Sequence, residues 1–79
     1  MLSAYMDRTV LLNHLALAEQ HVAEGERHLS RQREIIAETE AAGRDSALAR
    51  ELLHTFEATQ ATHVADRDRL LRELWQASG

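Results

Sequence analysis

Cysteine, proline and lysine are all absent from the 79-residue sequence. Without cysteine the chain forms no disulfide, no thiolate metal site and no redox-active thiol pair. Without proline, and with glycine only at positions 25, 43 and 79, little in the sequence interrupts a helix. A chain with so few breakers is either strongly helical or disordered, and the 44% hydrophobic content argues against disorder. Aromatic residues are rare and comprise only Tyr5, Phe56 and Trp75.

Neither sign of charge dominates the sequence. The net charge is −4, and all nine basic residues are arginines. Arginine alternates with aspartate in residues 66–69, so no basic stripe is available to neutralise a nucleic-acid backbone. No apolar run approaches the roughly 20 residues of a spanning helix, and residues 1–7 have no secretory-signal pattern. We therefore expect a cytoplasmic protein with no nucleic-acid or membrane partner.

Residues 41–46, Ala-Ala-Gly-Arg-Asp-Ser, form the best-marked turn. Gly43 suits the left-handed conformation that closes a helix. Asp45 or Ser46 suits the start of a second helix, where a side-chain oxygen accepts from free N–H groups. Because the link is short, the two helices must lie antiparallel.

The sequence therefore predicts an all-α helical hairpin in a single domain over residues 1–79. The first helix is expected over about 7–42, the turn over 43–45 and the second helix over about 46–76. The candidate caps of the first helix are Ser3, Asp7 and Thr9.

Apolar residues recur at alternating steps of three and four, which is the heptad pattern of coiled coils. The inward positions of the first helix are Leu11, Leu15, Ala18, Val22, Gly25, Leu29, Gln32 and Ile36. Those of the second helix are Ala49, Leu53, Phe56, Gln60, His63, Arg67, Leu70 and Leu74.

Other apolar residues fall outside these positions, among them Leu12, Leu17, Leu48 and Leu52. A two-helix contact buries only a narrow stripe, whereas a larger bundle buries a wider one. The surplus predicts a homodimer in which two hairpins form a four-helix bundle. The predicted interface residues are Leu11, Leu15, Val22, Leu29, Ile36, Leu53, Phe56, Leu70, Leu74 and Trp75. The segment Leu70–Trp75 is expected to pack against Leu11, Leu12 and Leu15 and close the open end of the hairpin. Alternatively, Trp75 anchors a partner protein.

The middle of the seam is polar. Residues whose numbers sum to about 87 should lie opposite one another, which pairs Gly25 with His63 and Val22 with Arg67. Polar groups are costly to bury unless they are paired. The structural interpretation is that Gly25 leaves room for the His63 ring or for close approach of the helices, that Arg67 pairs with a nearby acid such as Glu24 or Glu26, and that these residues fix the register. The functional interpretation is a ligand, metal or pH-sensing site. The residues concerned are Gly25, Gln32, Gln60, His63 and Arg67.

Histidines at positions 14, 21 and 28 follow one edge of the first helix. Residues seven apart are about 10.5 Å apart along a helix, so no two of these three bind one ion. A mononuclear site would combine His21 or His28 with Glu24 and with His63 from the second helix, a ligand set suited to Zn²⁺, Fe²⁺ or Mn²⁺. The alternative is that these histidines are half-exposed at an interface edge, where they make the dimer sensitive to pH.

Recognisable catalytic groups are missing. Glu51 and His54 have the Glu-x-x-His spacing of di-iron bundles, but their helical phase points them away from the seam. Ser3, Ser30, Ser46 and Ser78 have no evident histidine and acid partners, and no glycine-rich phosphate loop occurs. We therefore expect no enzyme activity.

Three segments carry a resemblance to a known group: His14–Glu38 (HLALAEQHVAEGERHLSRQREIIAE), Ala47–Leu71 (ALARELLHTFEATQATHVADRDRLL) and the Gly43-Arg-Asp turn. Together they resemble a set of short, uncharacterised α-helical hairpin proteins of rhizobia and related alphaproteobacteria. The resemblance covers about three quarters of the chain. It implies a bacterial, cytoplasmic origin and a hairpin fold, and it carries no activity.

Two functional hypotheses follow. The first is a protein–protein interaction or regulatory adaptor module that acts as a homodimeric helical bundle. The second is a bundle that binds a divalent transition metal or a small ligand through His21, Glu24, His28 and His63. A membrane-surface amphipathic protein is a weaker alternative, because the chain is acidic and contains no lysine.

Overall fold

The computed structural model describes residues 7–78 and consists of two long helices. Helix α1 spans Arg8–Ala41 and helix α2 spans Ala47–Ser78, and the two pack together along their length. The predicted helical hairpin is confirmed, and residues 7–78 contain no strand. Helix α2 continues two residues beyond the predicted end at 76. Ser3, one of the predicted caps, lies outside the described residues, as does Tyr5.

Asp7 caps the start of α1. Its carbonyl oxygen accepts from the N–H of Leu11 at 2.9 Å, and its carboxylate accepts from the N–H of Thr9 at 3.3 Å. The carboxylate thereby satisfies one of the N–H groups that have no partner within the helix. Of the predicted caps, Asp7 is therefore the one used, and Thr9 lies inside the helix.

Gly43 ends α1 in the left-handed conformation that the turn pattern predicts, with φ at +73°. The N–H of Gly43 donates to the carbonyl of Glu40, and the N–H of Arg44 donates to that of Thr39, both at 3.0 Å. These paired bonds satisfy two of the last carbonyls of the helix, as in a Schellman motif. The chain then reverses within residues 42–46.

Both predicted cap residues take part in the start of α2. The carbonyl of Ser46 accepts from the N–H of Arg50 at 2.9 Å, and the carboxylate of Asp45 accepts from the N–H of Ala47 at 3.0 Å. Glu40, at the end of α1, accepts from the Ser46 hydroxyl at 2.6 Å and from Arg50 Nε at 2.9 Å. These bonds join the two helices across the turn. The Ser46 hydroxyl, followed by Arg50, holds the pKa of the Glu40 carboxyl below its ordinary value.

The buried apolar residues all belong to the predicted seams: Leu11, Leu15, Ala18, Leu29, Ile36 and Leu70. Four of them, Leu11, Leu15, Ala18 and Leu70, form a cluster at the open end of the hairpin, with Leu74 packed against it. The other predicted apolar contacts are half-buried: Val22, Leu53, Phe56 and Leu74.

Trp75 does not close the open end of the hairpin. Within the segment that was predicted to pack there, Leu70 and Leu74 do contact the cluster with Leu11 and Leu15. The side chain of Trp75 is 82% exposed and takes no part in it. Trp75 lies about a quarter of a helical turn away from the seam through Leu74, which turns its indole outward. Leu12 and Leu71, which share the same flank by helical phase, are also exposed.

The hairpin is a narrow rod measuring 62 × 16 × 15 Å. Its radius of gyration is 17.8 Å, against roughly 12 Å for a compact chain of this length. In the part of the chain that the structure describes, neither helix has a stretch long and apolar enough to cross a membrane.

Candidate functional site

A cleft of about 110 Å³ opens between the helices in the middle of the hairpin. About two turns of each helix form its walls. The lining residues are His21, Glu24, Gly25 and His28 from α1 and Phe56, Thr59, Gln60 and His63 from α2. The predicted metal ligands therefore all reach a single cleft. Thr59 was not among the predicted site residues, although its position four residues before His63 places it on the same flank of α2.

Gln60 fills the space that Gly25 leaves open. A Cβ at residue 25 would overlap the carboxamide of Gln60, whose side chain is almost fully buried at 6% exposure. The residue that fills this space is thus Gln60. Of the two predicted uses of the space, the one in which the His63 ring fills it is wrong by about one helical turn. The heptad spacing fixes which faces meet, but side-chain packing fixes how far one helix is displaced along the other.

The carboxamide of Gln60 is only half-satisfied. Its Nε2 donates to the carbonyl of Val22 at 2.9 Å and to the carboxylate of Glu26 at 3.0 Å. Because both of these partners are acceptors, the nitrogen must point toward them, and Oε1 must point toward Gly25. Among the side chains that the structure describes, those of residues 7–76, Oε1 is the one buried polar atom with no hydrogen-bond partner. A buried acceptor of this kind costs about 1–3 kcal/mol.

Gln32 is the second buried polar residue and lies closer to the turn. Its exposure is 5%, and its Nε2 donates to the carbonyl of Ala49 in α2 at 2.9 Å. Gln32 and Gln60 therefore bridge the helices in opposite directions, one from each helix. Both were predicted as polar residues of the seam, and both lie in it.

His21 and His63 meet across the cleft. Their ring centroids are 5.0 Å apart and the rings are inclined by 44°, and both side chains are half-buried. His28 instead faces Phe56, with centroids 6.0 Å apart, and is exposed. His14 lies nearer the start of α1, in a shallow groove that is also lined by His21 and Asp66.

The four predicted ligands do not form a ready metal site in the side-chain arrangement of this structure. Within residues 7–78, no three histidine or acidic side chains are grouped so that they could hold an ion. What the fold does bring together is the pair of imidazoles, one from each helix, with Glu24 lining the same cleft.

Arg67 does not pair with either predicted glutamate. Its Nε and Nη2 donate to the carboxylate of its neighbour Asp68 at 3.1 and 3.0 Å. Glu26 is instead a partner of Gln60. This role of Glu26 was not predicted, because the register that brings it to Gln60 does not follow from the heptad spacing.

Glu51 and His54 lie on the outer surface, as their helical phase predicts. Both are exposed, and His54 Nδ1 lies 3.4 Å from the carboxylate of Glu57. Neither residue lines the cleft between the helices.

No protein-family model matches this chain, and no curated protein and no solved structure matches it significantly.

One flank of the rod combines the cleft with exposed apolar residues. By helical phase, the following residues lie on it: Val10, His14, Leu17, His21 and His28 of α1, and Leu48, Leu52 and His63 of α2. We call this surface the histidine face. Leu17 is 52% exposed and Leu48 is 79% exposed, so this face presents apolar groups to water. Leu12, Leu71 and Trp75 lie on the opposite flank.

Proposed function

We propose that the chain is a small non-enzymatic interaction module that acts as a homodimer. In this proposal two hairpins pack through their histidine faces into a four-helix bundle, which serves as a regulatory adaptor for another protein. The single observation that carries the proposal is the row of exposed apolar side chains along the histidine face.

The surface area of the single hairpin supports self-association. A monomeric protein of 8.9 kDa has an accessible surface of about 4,800 Å² by the usual scaling with mass. This hairpin exposes 5966 Å². The excess of roughly 1,200 Å² per chain amounts to about 2,400 Å² for two copies, which is the size of an obligate homodimer interface counted over both partners. A single two-helix rod thus leaves more of its surface exposed than a typical monomer of its mass, and packing against a second copy would cover that excess surface.

A second copy also fits the chemistry of this face. An isologous dimer brings the same patch of both subunits together, so apolar residues meet apolar residues. Leu17 and Leu52 are long aliphatic side chains of the type that fill the core of four-helix bundles. Their exposure of 52% and 44% in the single hairpin leaves about half of each side chain available to a partner.

Sedimentation velocity with light scattering tests the proposal. We expect a species of about twice the 8.9 kDa monomer mass at concentrations of tens of micromolar, dissociating on dilution. A single species of monomer mass at about 100 µM would overturn the homodimer.

Binding of a transition metal or a small ligand in the cleft is the second candidate function. The observation that favours it is the shared cleft of His21, Glu24, His28 and His63, together with the contact between the two half-buried imidazoles. It needs no second copy of the chain.

A further inference from the structure

We infer that His21, Glu24 and His63 form a two-histidine, one-carboxylate site for a divalent first-row transition metal, and that His28 is not part of it. This inference deepens the second candidate function and rests on it. The sequence leaves His21 and His28 as equal alternatives, whereas the packing of the two helices separates them.

The spacing of the two imidazoles matches a shared ion. With metal–nitrogen bonds of about 2.0–2.1 Å, two imidazoles on one tetrahedral ion have ring centroids about 5 Å apart. The rings of His21 and His63 are 5.0 Å apart. Since one ring comes from each helix, the fold already holds the pair together, and an ion would not have to bring distant segments into contact.

Glu24 is the acid best placed to complete the site. It lies three residues after His21, so the two side chains are neighbours on the surface of α1. It is half-buried and lines the cleft with both histidines. As the side chains stand, no three of these groups converge, so the carboxylate must change rotamer to join the ion. A glutamate has three rotatable side-chain bonds, which makes that change inexpensive.

His28 is excluded by its surroundings. Its ring faces Phe56 at 6.0 Å and is exposed to solvent. It is also seven residues from His21, which is about 10.5 Å along the helix axis. The same separation excludes His14. These two histidines therefore serve as matched controls on the same flank of α1.

The donor set defines the class of ion. Two imidazole nitrogens and one carboxylate oxygen suit Zn²⁺, Fe²⁺, Co²⁺ or Mn²⁺, while Mg²⁺ and Ca²⁺ prefer oxygen ligands and Cu⁺ prefers sulfur. Three protein ligands leave at least one position open to water.

Calorimetric titration of the chelator-treated protein with Zn²⁺, and visible absorption of its Co²⁺ complex, test the assignment. We expect one ion per chain. His21→Ala and His63→Ala should each lower the affinity at least about tenfold, and Glu24→Gln should also weaken binding. His28→Ala and His14→Ala should stay within about twofold of the parent chain. Helicity by circular dichroism checks each fold, and His63→Asn serves if His63→Ala does not fold.

The possible failures are distinct. If neither ion binds the parent chain, the metal assignment and the metal form of the second candidate function both fail. If binding survives His21→Ala but is lost in His28→Ala, metal binding stands and this ligand set is wrong. If all variants bind equally, the ion is held elsewhere on the surface. Leu52→Glu places a charge on the histidine face and should separate two copies of the chain. If binding disappears in that variant, the site lies between copies, which also overturns the assignment.

Discussion

The carboxamide of Gln60 packs directly against Gly25 and occupies the position that a Cβ on residue 25 would take. Glycine in the middle of a helix costs about 1 kcal/mol relative to alanine. Here that cost is linked to a contact between helices. The Gln60 amide reaches the backbone carbonyl of Val22 at 2.9 Å only because no side chain intervenes.

The first prediction is that the effect of Gly25→Ala changes sign with the residue at position 60. In the parent chain the new methyl group displaces the buried Gln60 amide and breaks its bonds to Val22 and Glu26, which costs about 1–3 kcal/mol. The gain in helix propensity is only about 1 kcal/mol, so the variant should be less stable. In a Gln60→Ala background the overlap is absent, and the same change should stabilise the chain. Urea denaturation of all four chains measures both effects, and stabilisation by Gly25→Ala in the parent chain would contradict the contact.

The second prediction concerns Glu40 and acid. Hydrogen bonds from Ser46 and then Arg50 lower the pKa of Glu40 from its ordinary value of 4.5. A carboxyl with a lowered pKa in the folded state stabilises that state above the unfolded pKa, and the contribution is lost as pH falls through the folded pKa. Glu40→Gln should therefore be less stable than the parent near pH 7, and the difference should vanish near pH 2.

Urea midpoints at the two pH values measure this difference. Glu19→Gln is the control, since Glu19 is exposed in the first half of α1 and lies far from the turn. If the urea midpoints of the parent and Glu40→Gln differed by the same amount at both pH values, the charge of Glu40 would make no contribution to stability.

The third prediction separates the two flanks of the rod. Leu52 and Leu71 are both in α2 and are both 44% exposed, but Leu52 lies on the histidine face and Leu71 on the opposite flank. If the histidine face forms the dimer, Leu52→Glu introduces a charge into an apolar contact and should shift the protein to the monomer. Leu71→Glu should leave the dimer intact. Sedimentation of both variants at matched concentrations measures the outcome, and the reverse result would assign the interface to the other flank.

The fourth prediction compares two apolar residues at the open end. Leu70 is 2% exposed and belongs to the cluster with Leu11 and Leu15, whereas Trp75 is 82% exposed. Leu70→Ala should cost about 2–5 kcal/mol, the usual range for a buried leucine. Trp75→Ala should change stability by less than about 0.5 kcal/mol. Thermal unfolding monitored by circular dichroism distinguishes them, and a large loss for Trp75→Ala would mean that its indole is buried in solution.

The faces of the two helices could be derived from the sequence, and so could the turn. Leu29 and Ile36 are seven residues apart in α1, and Leu70 belongs to the corresponding apolar stripe of α2. Burying them requires only that each stripe face the other helix. Gly43 stands where a helix must end, and its positive φ follows from that position.

The axial register of the two helices and the partners of the flexible charged side chains could not be derived in the same way. A heptad repeat allows several axial alignments, and the choice of Gln60 rather than His63 opposite Gly25 depends on how side chains interlock. Arg67 illustrates a second limit. Its flexible side chain pairs with the adjacent Asp68, a contact that no wheel projection favours over the glutamates of α1.

The groove at Gly25 also bears on how freely the two rods can slide past each other. Every other inward position of α1 carries at least a methyl group, so a displacement of half a heptad or more would press the Gln60 amide against carbon and remove its acceptors. Alignment is thus set near the midpoint of the rods as well as close to the hairpin loop, where Gln32 and Glu40 also bridge the two helices. Extra residues inserted at the loop would lengthen the connection without moving one helix along the other.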